Sequence, residues 1–391
     1  DQIIATLGYR LDKSTRNGDP NKFYGFPKAS LALNIANFDF WSAEKITQFK
    51  LRAAYGETGN PAGYGSTFTS YNASNIGGNI GQSLAGIKGD PDIEPETAQE
   101  FEFGFDLGMF ENRLSFEATY YSKRVKDLIL TRRLQSSSGF TQETKNLGDL
   151  KNTGVELSLR ADVFNTENFK WNTGIQWYTN SSEITRLAVP AFEQPGAGFG
   201  LSLGSFYIQE GKPVTQLVGN LDLDGDGTAE PTQVGDVEPD FQMGFNNNIT
   251  LFKQLDVSFL FQWKKGGDNL NLSRLLTDGG QLTPDLNTPE GQARLASPTN
   301  APRFVEPAGY VRLREAAIYY NFPSDIVSNI FGGIVENVRM GFSGRNLFTI
   351  TDYSSYDPEV STNGGSGLST GIEVTPFPSS KQYYFHLNVN F

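Results

Sequence analysis

The sequence predicts an all-β protein of about twelve antiparallel strands that form part of a transmembrane β-barrel. Three observations lead to this prediction. Apolar and polar residues alternate along most strand-length segments, and the connections between these segments are alternately short and long. No run of 18 apolar residues is present, so a transmembrane helix is excluded. Barrel strands hide their apolar half by alternation, so the hydrophobic content of 38% does not argue against a membrane.

The alternation is clearest in the segment Phe241–Trp263, which reads as two strands joined by a short polar turn. Side chains alternate between the two faces of a strand, so each strand presents one apolar and one polar face. A long hairpin with an aromatic-rich face opposite an amide-rich face fits a sheet between lipid and water better than a sheet on a protein core. The apolar positions are Phe241, Met243, Phe245, Ile249 and Leu251, followed by Leu255, Val257, Phe259, Phe261 and Trp263.

Ten further segments follow the same rule along the chain. In the segment Tyr310–Phe322 the alternation slips near Glu315, which predicts a β-bulge. The connection Pro323–Glu336 is predicted to be short and helical or irregular. In chain order the predicted strands are Ile4–Leu11, Phe23–Phe38, Phe49–Gly56, Phe101–Met109, Leu114–Leu130, Gly154–Val163, Phe169–Tyr178, Tyr310–Phe322, Val338–Ile350 and Gln382–Phe391.

The lengths of the connections separate the two ends of the predicted sheet. Short turns lie near Trp41, Glu111, Asn165, Lys253 and Ser328, and the connections between them are mostly long and rich in Gly, Pro, Asn and Asp. Outer-membrane barrels have short periplasmic turns and long extracellular loops, whereas a soluble sandwich gives no reason for such an alternation. The pattern therefore places both ends of this chain on the periplasmic side, and we expect the chain to be a piece of a longer protein.

Tryptophans mark the expected borders of the apolar band. Trp171 and Trp177 share the apolar face of one strand and are separated by roughly 20 Å at the usual rise per residue. That distance is close to the height of the apolar band of a barrel, so the pair is expected to lie in its two interfacial girdles. Trp263 would join the outer girdle and Trp41 the inner one. The alternative is that these are core aromatics of a soluble sandwich.

The composition excludes several functional classes. The chain has no cysteine, which rules out disulfides, thiolate metal sites and a cysteine nucleophile. A net charge of −12 argues against a nucleic-acid-binding protein, which needs a basic patch. His386 is the one histidine, it alternates onto the polar face of the last predicted strand, and no Ser or Asp motif surrounds it. The sequence therefore predicts that the protein is not an enzyme.

The segment Asp222–Glu230 contains the sharpest local motif. Asp222, Asp224 and Asp226 occupy relative positions 1, 3 and 5, and Gly227 occupies position 6, as at the start of a calcium-binding loop. The candidate ligands for Ca²⁺ are these three aspartates and Glu230. Position 12 is Gln233, which is not the bidentate acid of an EF-hand, and no flanking helices are predicted. The alternative is an Asp/Gly turn in which the carboxylates cap backbone amides.

With these features in view, the chain resembles the C-terminal part of the SusC/RagA family of TonB-dependent outer-membrane transporters. The matching stretches occur in the order found in the family and span nearly the whole chain. They are Leu51–Asn60, Asn146–Leu157, Asp222–Gly227, Gly309–Arg314, Gly344–Thr351, Tyr356–Val360 and a terminal strand that ends in Phe391.

The resemblance implies a 22-stranded barrel around a plug domain in the outer membrane of a Gram-negative bacterium. Residues 1–391 would be part of that barrel domain, and the plug, the first strands and the TonB-contacting segment would lie in another part of the protein. A SusD-like surface lipoprotein would act as a lid, and TonB would pull on the plug to admit an oligosaccharide or a peptide. No nucleic acid is expected among the partners.

Aromatic residues of the long loops are the candidates for contact with the solute, because they can stack on sugar rings or peptide side chains. The candidates are Tyr64, Tyr71, Phe199, Tyr207 and Tyr356. Two alternative functions stay open from the sequence. One is a TonB-dependent receptor for a metal chelate, and the other is a soluble β-rich glycan-binding or adhesive protein.

Overall fold

The computed structural model describes residues 1–359, 361 and 370–391, and twelve long strands of this part form one antiparallel sheet. Each strand pairs with the next one along the chain, and β1 and β12 have a single strand neighbour among the described residues. The prediction of about twelve antiparallel strands is confirmed. The strands are β1 (Ile3–Asp12), β2 (Tyr24–Asn34), β3 (Ile46–Asn60), β4 (Glu96–Met109), β5 (Leu114–Arg133), β6 (Gln142–Asn165), β7 (Phe169–Leu187), β8 (Pro239–Leu251), β9 (Leu255–Gly266), β10 (Tyr310–Asn321), β11 (Asn337–Thr351) and β12 (Gln382–Asn390).

The register of the sheet places the apolar residues of neighbouring strands on the same face. Phe245 of β8 lies opposite Ile175 of β7 and Phe261 of β9. Directly opposed residues of antiparallel strands share a face, so these side chains form a row. The equivalent rows continue to β1 on one side and to β12 on the other, where Phe342 lies opposite Phe385. One face of the whole sheet is therefore apolar, and the other is polar.

The connections at one end of the sheet are tight turns. Phe110, Glu111 and Asn112 have positive φ angles of 55°, 60° and 64° in the turn between β4 and β5, which reverses the chain within a few residues. The longest connection at this end contains helix α1 (Ser324–Phe331), so the helical alternative predicted for it is confirmed. The bulge predicted near Glu315 is also present, because the pairing of β10 with β11 shifts between Leu313 and Glu315.

The predicted strand ends were wrong at the end with the long loops. β6 begins at Gln142 rather than Gly154, and β7 continues to Leu187 rather than Tyr178. In these extensions both faces carry polar residues, so the alternation that marks an apolar belt is lost while the backbone ladder continues. The opposite error occurs in β2, which ends at Asn34 and is followed by a 3₁₀ helix (Ile35–Asn37).

The long connections contain secondary structure of their own. Segment 188–238 folds into a four-stranded sheet, and strands from segments 267–309 and 352–381 form a three-stranded sheet. None of the α-helices in the described part of the chain is long and apolar enough to cross a membrane. The additional elements are the strands Tyr71–Ile76, Asn79–Leu84, Ile87–Lys88, Phe192–Gly198, Ser205–Ile208, Gln216–Leu221, Glu230–Asp236, Asp268–Asn271, Val305–Pro307 and Ile372–Glu373, the helices Leu272–Gly279 and Pro289–Ala296, and the 3₁₀ helices Ser136–Ser138 and Ala301–Phe304.

Three of the four longest connections share one hydrophobic core, and we call their packed portion the loop cap. Its centre consists of fully buried side chains from segments 188–238, 267–309 and 352–381. A second cluster joins Ile208 and Val214 of the loop cap to Leu130, Leu147 and Ile184 at the ends of β5, β6 and β7. The loop cap is therefore fixed to the strand ends. Its central residues are Phe206, Leu217, Leu270, Leu272, Phe304 and Ile372.

Candidate functional site

A buried ion pair connects the last long loop to the polar face of the sheet. Arg312 of β10 donates to Asp357 and to Glu359, both at 2.6 Å, and the side chains of Arg312 and Asp357 are each 3% exposed. Tyr310 and Arg314 also bind Glu359. Burial tends to raise the pKa of Asp357, but the hydrogen bonds that it accepts, led by the one from Arg312, outweigh this effect and lower it. Two stretches that the sequence singled out separately, Gly309–Arg314 and Tyr356–Val360, are thus partners; Val360 itself lies outside the described residues.

A second ionic cluster joins the two helices of segment 267–309. Arg294 binds Asp278 at 2.8 Å and Asp285 at 2.9 Å, while Arg274 binds Asp285 and reaches Glu306 at 2.9 Å. The hydrogen bond from Arg294 lowers the pKa of Asp285. Every charge in this cluster has an opposite neighbour, which is what a half-buried set of charges requires. We interpret the cluster as structural.

The predicted calcium ligands lie at the tip of a hairpin of the loop cap, between the strands Gln216–Leu221 and Glu230–Asp236. Carboxylate oxygens of Asp222, Asp224 and Asp226 lie within 4.8 Å of one another, and all three residues are exposed. Each carboxylate also accepts backbone N–H bonds, such as that from Gly225 to Asp222 at 2.7 Å. Glu230 lies outside the three-carboxylate group. The geometry therefore fits three of the four predicted ligands and fits the capping alternative as well.

The five predicted solute-contacting aromatics are spread over several elements. Tyr64 and Tyr71 belong to segment 61–95 and are 90% and 65% exposed. Phe199 is 51% exposed, whereas Tyr207 is half-buried and donates to the Ala191 carbonyl at 3.2 Å. Tyr356 is 52% exposed and borders a cleft of about 700 Å³ between segments 267–309 and 352–381. Four of these aromatic side chains are exposed enough to contact a solute, namely Tyr64, Tyr71, Phe199 and Tyr356. The Tyr207 hydroxyl is instead bonded within the loop cap.

His386 lies on the polar face, as the alternation predicted. Its Nε2 atom lies 2.7 Å from the Ser343 hydroxyl, and the Tyr319 ring lies 5.3 Å away, centre to centre. Within the described residues, no carboxylate is in hydrogen-bond contact with the histidine. The pair lies near the short-turn end, beside Arg339, which stacks over Tyr319 at 4.2 Å and binds Asp256 at 3.2 Å.

The sequence reasoning missed a polar cleft of about 320 Å³ where the sheet meets the loop cap. On the polar face, Gln242 of β8 lies opposite Lys264 of β9, which lies opposite Tyr310 of β10. Glu238 and Asp268 come from the adjoining loops. These residues are spread over separate segments without a shared motif, so only the three-dimensional structure brings them together.

Known proteins resemble the whole length of the chain. The family model described as "TonB dependent receptor-like, beta-barrel" matches residues 1–347. TonB-dependent receptor P3 of Formosa agariphila is 29% identical over 452 residues and covers 100% of this chain, which corresponds to 44% of that protein. TonB-dependent receptor SusC of Bacteroides thetaiotaomicron is 22% identical over 100% of this chain and 42% of that protein.

Solved structures agree with the fold. A chain of the RagAB peptide transporter superposes with a TM-score of 0.81 and 23% identity over 100% of this chain and 46% of that chain. The siderophore receptor PirA of Acinetobacter baumannii superposes with a TM-score of 0.51 and 12% identity over 99% of this chain and 43% of that chain. The chain spans less than half the length of these relatives. Because the family model covers most of its residues, the chain belongs to the TonB-dependent receptor-like β-barrel family.

Proposed function

We propose that this chain forms part of the wall of an outer-membrane barrel that imports an oligosaccharide or a peptide with energy delivered through TonB. The observation that carries the proposal is the continuous division of the twelve-stranded sheet into an apolar and a polar face. In a membrane barrel the apolar face meets lipid and the polar face lines the interior. A sheet with two free edges would leave backbone groups unpaired in lipid, so the rest of the barrel and the plug would come from other parts of the same protein.

A SusD-like lipoprotein is the proposed partner at the loop cap. The names of two similar proteins, SusC and the RagAB peptide transporter, support this proposal. The surface of the loop cap adds a physical argument, because Leu282 and Phe377 are 77% and 93% exposed, and Tyr356 is half-exposed. Exposed apolar side chains on one part of a surface are typical of protein contact sites.

Two other functions have less support. A receptor for a metal chelate would share the barrel, but PirA superposes less closely than the RagAB chain does. Recovery of a small siderophore without a lid protein would favour that alternative. A soluble glycan-binding or adhesive protein has no use for an apolar face that extends over every strand of an open sheet.

The proposal is tested by purifying the full-length protein from its native membrane in detergent. Mass spectrometry of every chain and of any bound solute should show a plug within the full-length protein itself, a separate lid lipoprotein, and a glycan or peptide. A protein that is monodisperse in buffer without detergent, and that carries no solute, would contradict the proposal.

We also propose that Asp222, Asp224 and Asp226 hold one Ca²⁺ ion that rigidifies the hairpin tip. A hard cation prefers such carboxylate oxygens, and the three groups already converge. Elemental analysis of the purified protein should detect calcium, and the triple Asn variant of these aspartates should lose it. Glu230→Gln is the matched control, because Glu230 lies outside the group of three carboxylates. The Glu230→Gln protein should keep its calcium. Equal calcium contents in the triple variant and the unaltered protein would contradict the site.

A further inference from the structure

Lys264 is a half-buried cation without a bonded partner. It lies on the polar face near the end of β9, between Gln242 and Tyr310 in the register of the sheet. In the described part of the chain its ammonium forms no ion pair and no hydrogen bond to another side chain, although Lys22, Lys50, Lys145 and Lys253 all have acidic partners. Burial of an unpaired charge costs free energy. An ammonium without a partner at this position is therefore expected to bind an anionic group of a ligand.

Three carboxylates share the cleft of about 320 Å³ with Lys264. Glu359 is held by Arg312 and Arg314. The other two are Glu238, which precedes β8, and Asp268, which follows β9. Burial raises the pKa of Glu238 and of Asp268, and the positive charge of Lys264 counteracts the rise in both. The ammonium is thus near enough to influence the two acids but is not within ion-pair distance of either.

Asn269 supplies a second unsatisfied group in the cleft. Its side chain is 1% exposed, and its Nδ2 atom donates to the Tyr353 hydroxyl at 3.2 Å, while its Oδ1 atom has no partner. Buried amide oxygens almost always accept a hydrogen bond, so the missing donor is expected to arrive with a ligand. Gly267 leaves space for such a ligand. A Cβ atom at this position would lie only 2.7 Å from the Val237 carbonyl oxygen and 3.2 Å from the Lys264 ammonium.

We propose that this cleft binds a peptidic solute through both of its charged groups, a carboxylate on Lys264 and an ammonium on Glu238 and Asp268. The Asn269 carbonyl would accept an N–H of the same solute. A neutral oligosaccharide has neither a carboxylate nor an ammonium group. Of the two proposed solute classes, the cleft therefore favours the peptide. This inference rests on the proposed import function. The carboxylate can be the C-terminus or an acidic side chain, and the ammonium can be the N-terminus or a lysine.

The test uses the detergent-solubilised full-length protein and a tryptic digest of casein as the peptide probe. Retained peptides are quantified by mass spectrometry after removal of the unbound pool. Lys264→Gln should reduce the retained amount by about tenfold or more, because a charge pair in a half-buried site is lost. Lys265→Gln is the matched control, since Lys265 is exposed on the opposite face of the same strand, and it should retain peptides as the unaltered protein does.

Chemically blocked pools separate the two charged contacts and their sources. Esterification of all carboxyl groups should abolish the difference between Lys264→Gln and the unaltered protein, and acetylation of all amines should do the same for Glu238→Gln. Selective acetylation of N-termini then distinguishes a terminal ammonium from that of a lysine side chain. Synthetic copies of the retained peptides with an amidated C-terminus distinguish a terminal carboxylate from that of an acidic side chain.

Three results would overturn the inference. Lys264→Gln could retain as many peptides as Lys265→Gln, or the blocked pools could bind as well as the free ones. The protein could also retain an oligosaccharide pool tested in the same way while it retains no peptide, in which case the inference falls and the import function stands. If neither kind of solute is retained, the proposed function itself fails.

Discussion

Alanine in place of Arg312 is expected to lower the free energy of unfolding by about 3–5 kcal/mol. Removal of one partner of a buried ion pair leaves the other charge unpaired, and Asp357 is as deeply buried as Arg312. Because the pair connects segment 352–381 to β10, the same variant should also expose that segment to proteases. Urea titration of the full-length protein in lipid vesicles measures the first effect, and limited proteolysis with mass spectrometry measures the second.

Arg345→Ala is the control for Arg312→Ala. Arg345 pairs with Glu315 at 3.4 Å on the neighbouring strand, but both side chains are about half-exposed, so its loss should cost at most about 1 kcal/mol. Asp357→Ala combined with Arg312→Ala should recover part of the stability, because the buried Asp357 charge is then absent and Glu359 keeps Arg314 as its partner. Equal stabilities of the Arg312 and Arg345 variants would show that the buried pair does not anchor the loop.

Arginine in place of Phe259 is expected to cost about 2–4 kcal/mol if this side chain faces the middle of a bilayer. Phe259 lies near the centre of β9 on the apolar face, and its ring packs on Phe245 and Phe261 at centroid distances of 6.4 and 5.9 Å. The stability of the full-length protein in vesicles is measured by urea titration with tryptophan fluorescence.

Two controls separate the membrane effect from the loss of packing. Phe259→Leu removes the ring contacts but keeps an apolar side chain, so it should cost clearly less than the arginine variant. Ser258→Arg places the same charge one residue away on the polar face and should change the stability little. A cost near zero for Phe259→Arg, or equal costs at positions 258 and 259, would mean that the apolar face is not in lipid.

The sequence predicted the sheet well where one face is apolar and the other polar. In β8 and β9 the alternation alone identified both strands, their turn and their faces, because a single residue of slip would move every apolar side chain to the polar face. One polar residue of β8 departs from this alternation. Asn247 lies on the apolar face, is 1% exposed, and accepts a hydrogen bond from the indole of Trp171 at 2.9 Å.

The extensions beyond the apolar belt could not be predicted in this way. Around Asn146 the strands are held by side chains that bond to backbone groups, such as the Asn146 amide that donates to the carbonyls of Glu94 and Asp127. Asp127 has a φ of 56°, and its N–H donates to Asp149. Such contacts join segments far apart in the chain and leave no periodic signal.

The candidate site shows the same division between local and long-range information. The aspartate triad was predictable because its carboxylates are two residues apart in sequence, and the structure does bring the three carboxylates together. The partnership of Arg312 with Asp357 and the cleft at Lys264 depend on contacts between segments separated by tens of residues. Sequence motifs named two of these segments but did not reveal what they contact.

In the proposed barrel, odd-numbered residues in the middle of β9 face lipid and even-numbered residues face the barrel interior. Residues 1–391 contain no cysteine, so single cysteines can be introduced at positions 257–262 of the full-length protein after replacement of any cysteine elsewhere. A fluorophore at each site, in vesicles with brominated lipid or with aqueous iodide, reports which medium it meets. We expect strong quenching by lipid at positions 257, 259 and 261 and weak quenching by lipid at positions 258, 260 and 262. Uniform quenching along the strand, or quenching by iodide alone at all six positions, would show that β9 does not stand between lipid and the barrel interior.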